Sequence, residues 1–142
     1  MANHKQAAKR ARQSEKARVR NITVRSRIRT RVRALHYAVD QLRTLEAGKH
    51  IHPQDVEKHL RKLTEGKAKD LADSGFGSIT DDAKKLLKKY DAKAHAALLK
   101  QLAHAGLKQS TRLLAKAGSK GVMHKRTAGR RISRLTKMVG KL

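Results

Sequence analysis

Residues 25–42 read RSRIRTRVRALHYAVDQL, and the apolar positions inside that stretch, Ile28, Val32, Leu35, Val39 and Leu42, step by four, three, four and three. That spacing puts all five on one stripe of an α-helix, turned toward a partner helix. Neither Gly nor Pro occurs from Met1 to Ala47, so no residue type in this span breaks the helix. Toward the N-terminus the stripe fades into Ala2, Ala7, Ala8, Ala11 and Ala17 among basic side chains. The first half of the helix therefore has little to pack on. It is expected to extend away from the bundle, helical by propensity and marginal until its charge is neutralised.

A matching stripe lies at the other end of the chain. Ala128, Ile132, Leu135, Val139 and Leu142 repeat the same steps behind Thr127, which is placed to cap a last helix. Two stripes of one period predict that the last helix packs on the second half of the first. Between them, Gly48 closes the first helix and Pro53 opens a short second one with Val56, Leu60 and Leu63 on its apolar face. Residues 73–78, DSGFGS, read as a turn. Thr80 with Asp81 and Asp82 then starts a third helix, whose stripe is Ala83, Leu87, Tyr90, Ala94, Leu98 and Leu102, with Leu113 and Leu114 beyond Gly106. That helix is expected to run to Ala117, where Ala117-Gly118-Ser119-Lys120-Gly121 forms a stop. The fold class is all-α: a four-helix bundle with a long protruding N-terminal helix, forming one domain over residues 1–142.

The chain of 142 residues carries 36 Lys or Arg against 11 Asp or Glu, a formal charge of +25. Its distribution says more than its total. Residues 1–33 hold 12 basic side chains and one acid, and residues 108–142 hold 11 basic and none, so each end carries +11. The 74 residues between them carry 13 basic and 10 acidic side chains, a net of only +3. Moreover, 14 of the 16 Arg lie in the two end segments. The planar, weakly hydrated guanidinium matches phosphate oxygens better than the Lys ammonium does, so the segregation marks the ends as a polyanion-contacting surface. The mixed-sign middle reads as solvated helix faces. Arg25, Arg27, Arg29, Arg31 and Arg33, with no acid between them, repel one another and call for external counter-charge.

Composition excludes several classes of function. Leu, Ile, Val and Phe total 29 residues, about a fifth of the chain, which limits the core a chain of this charge can bury. The three aromatics, Tyr37, Phe76 and Tyr90, are too few for base-stacking platforms, leaving phosphates and shape as the means of gripping nucleic acid. Without Cys there is no disulfide, thiolate nucleophile or cysteine zinc site, and no apolar run approaches the roughly 18 residues of a membrane span. His50 and His52 flank Ile51 without a metal-binding pattern, and the other histidines read as surface side chains. Asp81 with Asp82 is a helix start rather than a catalytic pair, and Gly75 and Gly77 lack the Lys-Ser/Thr sequel of a phosphate loop. Residues 1–33 are Arg-rich and acid-poor like a mitochondrial presequence, but they lack Leu and Phe and have no apolar face in the first 20 residues. The same lack argues against a membrane-surface helix. No enzyme activity, cofactor, metal, membrane or small-molecule substrate is expected.

Two segments carry a resemblance. Met1-Ala2-Asn3-His4-Lys5, Ala8-Lys9-Arg10-Ala11-Arg12-Gln13-Ser14-Glu15-Lys16, Arg20-Asn21 and Arg25-Ser26-Arg27-Ile28-Arg29-Thr30 closely resemble the N-terminus of the bacterial S20 family of small-ribosomal-subunit proteins. Lys120-Gly121-Val122-Met123-His124-Lys125, with Ala128, Arg130-Arg131 and Ser133-Arg134-Leu135, is similar to that family's other signature. The two matches, in the correct order, span about half the chain. The resemblance implies a helical bundle whose long first helix enters 16S ribosomal RNA, contacting the 5′ domain and the base of helix 44, as an early assembly protein in the cytoplasmic ribosome. Arg126 stands where the family usually has Asn, and Gly129 replaces a usual Ala, weakening the start of the last helix. Residues 48–92 read as a helical insertion that most members lack; the family does not imply a partner for it.

The expected contact set is therefore Lys5, Lys9, Arg10, Arg12, Lys16, Arg18, Arg20, Arg25, Arg27, Arg29, Arg31 and Arg33, which replace condensed cations on phosphates. Ser14, Asn21, Ser26 and Thr30 would donate hydrogen bonds to phosphate or 2′-OH groups. Lys120, His124, Lys125, Arg130, Arg131 and Arg134 would grip a second strand or helix. A nucleoid-type DNA-compacting protein shares the charge pattern and is the alternative. An RNA-modifying or RNA-cleaving enzyme would need a catalytic constellation that the eight His do not form.

Overall fold

The N-terminal stripe and the absence of helix breakers give a helix of 42 residues, α1 (Lys5–Glu46), about 63 Å long at 1.5 Å per residue. The structure, a computed structural model, describes residues 4–47, 81, 82, 84–86, 89 and 91–142. The expected second helix from Pro53, the expected turn at 73–78, the expected Thr80 cap and most of the segment 48–92 expected to be an insertion lie outside the described residues. Two further helices follow, α2 (Ala92–Ser119) and α3 (Lys125–Val139), and residues 81, 82 and 84–86 are helical too. No strand occurs among the described residues, and none of their helices is long and apolar enough to cross a membrane.

α2 is the central element, making the close backbone approaches to both α1 and α3. A Cβ built on Gly106 would lie 3.5 Å from Leu35 Cδ1, which marks where α1 and α2 come together. Ile28, Leu35 and Val39 from α1, Ala103, Leu114 and Ala117 from α2, and Val122, Leu135 and Val139 form one buried cluster. A second cluster joins Ala38 and Leu42 to Leu99, and Leu142 packs against both. The last helix thus shares a core with the second half of the first, as the paired stripes required. It does so through side chains. Lys100 closes this end of the bundle, its Nζ donating to Leu142 O at 3.1 Å and lying 3.7 Å from Glu46 Oε1.

Three expectations need correction. The third helix does not run unbroken from Thr80 to Ala117. Asp91 is extended (φ −130°, ψ 121°) and its carboxylate accepts from the Lys93 N–H, so it starts α2 afresh. An Asp side chain that satisfies an orphan N–H at a helix start competes with continuing the helix through it. The buried face of α2 is consequently His95, Leu98, Leu99, Ala103, Ser110, Leu114 and Ala117, and Ala94 is exposed. His95 is thus no surface histidine: it is 2 % exposed, and burial lowers its pKa from the usual 6.5. Finally, α3 is capped by His124 and not Thr127, because His124 is the residue in extended backbone and its Nδ1 accepts from the Arg126 N–H at 3.3 Å.

The turn between α2 and α3 is built by its own residues. Gly121 has φ +69°, the left-handed conformation that ends helices at little cost only for Gly. Its N–H donates to Gly118 O (3.4 Å) and the Val122 N–H to Ala117 O (3.0 Å), the paired bonds of a Schellman cap. Val122 is buried in the same cluster as Ala117, supplying the apolar contact that accompanies such a cap. The segment Lys120–Lys125 therefore ends one helix and starts the next within six residues.

Candidate nucleic-acid interface

Residues 5–18 of α1 lack a bulky apolar side chain to bury and are largely exposed, and Val19 and Ile22 beyond them remain more than half exposed. This arm presents Lys5, Lys9, Arg10, Arg12, Lys16, Arg18 and Arg20 to solvent, with Glu15 paired to Arg18 at 3.3 Å. Such an exposed pair contributes little. Past the arm, the buried stripe divides the arginines into two banks. Arg25, Arg29 and Arg33, four residues apart, lie on one flank, and Arg20, Arg27 and Arg31 on the other, as 3.6 residues per turn requires.

The first bank faces the other end of the chain. Arg25, Arg29, Arg33 and His36 of α1 form one wall of a groove of about 900 Å³; the turn from Gly121 to His124 closes one side, and Thr127, Arg131 and Arg134 of α3 stand opposite. Ile28, Val32, Leu135 and Met138 line its floor. Five arginines and no carboxylate line it among the described residues, so their fields add without internal compensation. Arg25 Nη2 donates to Val122 O at 3.0 Å, tying the wall of α1 to the turn across 97 residues of sequence.

The structure thus brings together Arg25, Arg29, Arg33, His124, Arg131 and Arg134 from the expected contact set. It leaves Lys5 to Arg20 on the arm and Arg27 and Arg31 on the far flank, with Lys120, Lys125 and Arg130 exposed outside the groove lining. All the expected residues are exposed apart from Asn21 and Arg31, which are half-buried. One of the expected hydroxyls is less available than expected: Thr30 Oγ1 already donates to Ser26 O at 3.1 Å, leaving it acceptor capacity only. Asn21 Oδ1 is buried without a hydrogen-bond partner at the base of the arm. His124 commits its Nδ1 to the α3 cap, and His4 does the same for α1, accepting from the Gln6 N–H at 3.3 Å. Both signatures thus open a basic helix with a His-Lys pair. Sequence reasoning missed His36 in the groove wall; its spacing of seven from Arg29 was the signal that would have placed it there.

An aromatic-poor helical scaffold, with five arginines and no carboxylate lining the groove among the described residues and cations on both flanks of α1, has the character of a polyanion-binding protein. A family model described as ribosomal protein S20 matches residues 2–68 and 77–140. The chain is 31% identical over 139 residues to the small ribosomal subunit protein bS20 of Syntrophus aciditrophicus, covering 98% of this chain and 93% of that protein. It is 36% identical over 141 residues to bS20 of Desulforapulum autotrophicum (99% and 100%), and 34% identical over 142 residues to bS20 of Desulfotalea psychrophila (100% and 97%). No solved structure is significantly similar. The chain belongs to the ribosomal protein S20 family and is a structural protein of the ribosome.

Proposed function

We propose that the protein binds 16S ribosomal RNA in the small subunit, at the 5′ domain and the base of helix 44, and assists assembly by fixing two RNA elements at once. The observation that carries this reading is the five-arginine groove, in which the two distant basic segments of the chain meet. One RNA backbone enters the groove between α1 and α3 and meets Arg29, Arg33, Arg131 and Arg134. Another follows the arm and the opposite flank of α1 through Lys5, Lys9, Arg12, Lys16, Arg20, Arg27 and Arg31. Holding both from one chain stabilises the junction between them. The discriminating experiment compares affinity for a 16S fragment containing the 5′ domain with affinity for duplex DNA of equal length at the same salt. A preference of at least about a hundredfold for the RNA is expected, because A-form shape and 2′-OH groups distinguish the two where charge density alone does not. Equal affinity would favour the DNA-compacting alternative.

A further inference from the structure

α1 and α3 face each other across the groove, but each makes its close backbone approaches to α2. The spacing of the two arginine walls therefore depends on how the turn from Gly121 to His124 is held. Inside that turn, the Val122 and Met123 N–H groups both donate to Ala117 O, at 3.0 and 3.2 Å, while the Val122 carbonyl points the other way and accepts from Arg25. A guanidinium donating to a neutral carbonyl is a charge-assisted bond, stronger than an ordinary amide pair. His124, the cap of α3, follows Val122 by two residues, so a displacement of the turn moves the start of the helix that carries Arg131 and Arg134.

We propose that Arg25 is a positioning residue: it latches the Gly121–His124 turn to α1 and so sets the spacing of the groove walls, and its effect on RNA binding passes through Arg131 and Arg134. The proposal rests on the groove reading above for its functional consequence, but the latch itself is a property of the free protein. Lys cannot replace Arg here, because an ammonium on a flexible stem lacks the planar fork that can hold the carbonyl while still presenting N–H groups to the groove.

The test uses the full chain with Arg25→Ala and Arg25→Lys, with Arg29→Ala as the control from the same wall. Without RNA, both Arg25 variants should exchange the Val122 and Met123 amides about tenfold faster, the effect of losing one hydrogen bond to a charged group, with unchanged helix content. Arg29→Ala should leave those amides unaffected. With the 16S fragment, the affinity loss from Arg25→Ala should largely disappear in an Arg131→Ala, Arg134→Ala background, whereas the loss from Arg29→Ala should persist there. Unchanged exchange in both Arg25 variants would overturn the latch. So would an Arg25→Ala loss that is the same in both backgrounds, since that is the signature of a plain phosphate contact. A wild-type chain that fails to bind the fragment would sink the groove reading, and the exchange measurement would still decide the latch.

Discussion

Replacing Arg29, Arg33 and Arg131 together with Ala removes cations from both walls of the groove without touching the core, since all three are exposed. The four groove arginines that meet the RNA, Arg29, Arg33, Arg131 and Arg134, together with the cations of the arm and the opposite flank of α1, correspond to about ten neutralised phosphates, so the wild-type log-log dependence of affinity on salt should have a slope of roughly −7 to −9. Three lost contacts should reduce that slope by about 2 to 3. Between 50 and 200 mM salt, the wild-type affinity should therefore fall about 10⁴- to 10⁵-fold and that of the triple variant about 10³-fold. Filter binding or fluorescence anisotropy with a 5′-domain fragment, titrated over that salt range, measures both slopes. Thermal unfolding of the free proteins checks that the variant is intact, and its Tm should not fall. A wild-type slope near −2 would refute phosphate neutralisation as the mechanism. An unchanged slope in the triple variant would show that RNA does not enter the groove.

Residues 8–24 should show little amide protection in the free protein and strong protection on RNA, because like charges such as Lys16 with Arg20 repel at helical spacing and few apolar groups offset about 1–2 kcal/mol of backbone entropy per residue; strong protection without RNA would show a preformed arm. Gly129→Ala should stabilise the free protein by about 0.5–1 kcal/mol, seen as a higher Tm, because a Cβ there meets nothing within 4 Å and Gly in a helix interior costs that much; a lower Tm would contradict it. His95 has a folded pKa below its unfolded value, so the unfolded chain takes up the proton first as pH falls through the usual 6.5, and stability should drop with it. Denaturant unfolding of His95→Gln should show a smaller drop over that interval, and an identical pH dependence would refute the assignment.

Which parts of the fold could be read in the sequence follows from what each signal measures. The stripe of α1 was legible because four-three spacing uncrossed by Gly or Pro has one physical solution, and in α3 the same spacing prevails although Gly129 lies within it; Ile28, Leu35, Val39, Leu42, Leu135 and Val139 are all buried. The stripe of α2 came out shifted because it was phased from Ala83, on the far side of the Asp91 break. Once Asp91 restarts the helix, the phase is set by Leu98 and Leu99, and His95 turns inward while Ala94 turns out. An Asp in a charged stretch reads equally as a solvated side chain or a cap, and only its extended backbone distinguishes them. The same ambiguity placed the α3 cap at Thr127, three residues beyond His124.

The interface was legible at the level of residue type and not at the level of role. Segregation of Arg to the two ends is a property of side chains alone, and it marks both walls of the groove. What no residue type encodes is a backbone acceptor: the Val122 carbonyl that holds Arg25 is chemically the same group that every residue carries. The role of Arg25 therefore depends on where the chain turns, and that turn is fixed by Gly121 in the left-handed conformation and by burial of Val122 against Ala117. The second signature thus has a structural reason for its glycine and valine and an electrostatic one for its arginines. The turn residues aim the charges, and the charges give the turn something to aim at.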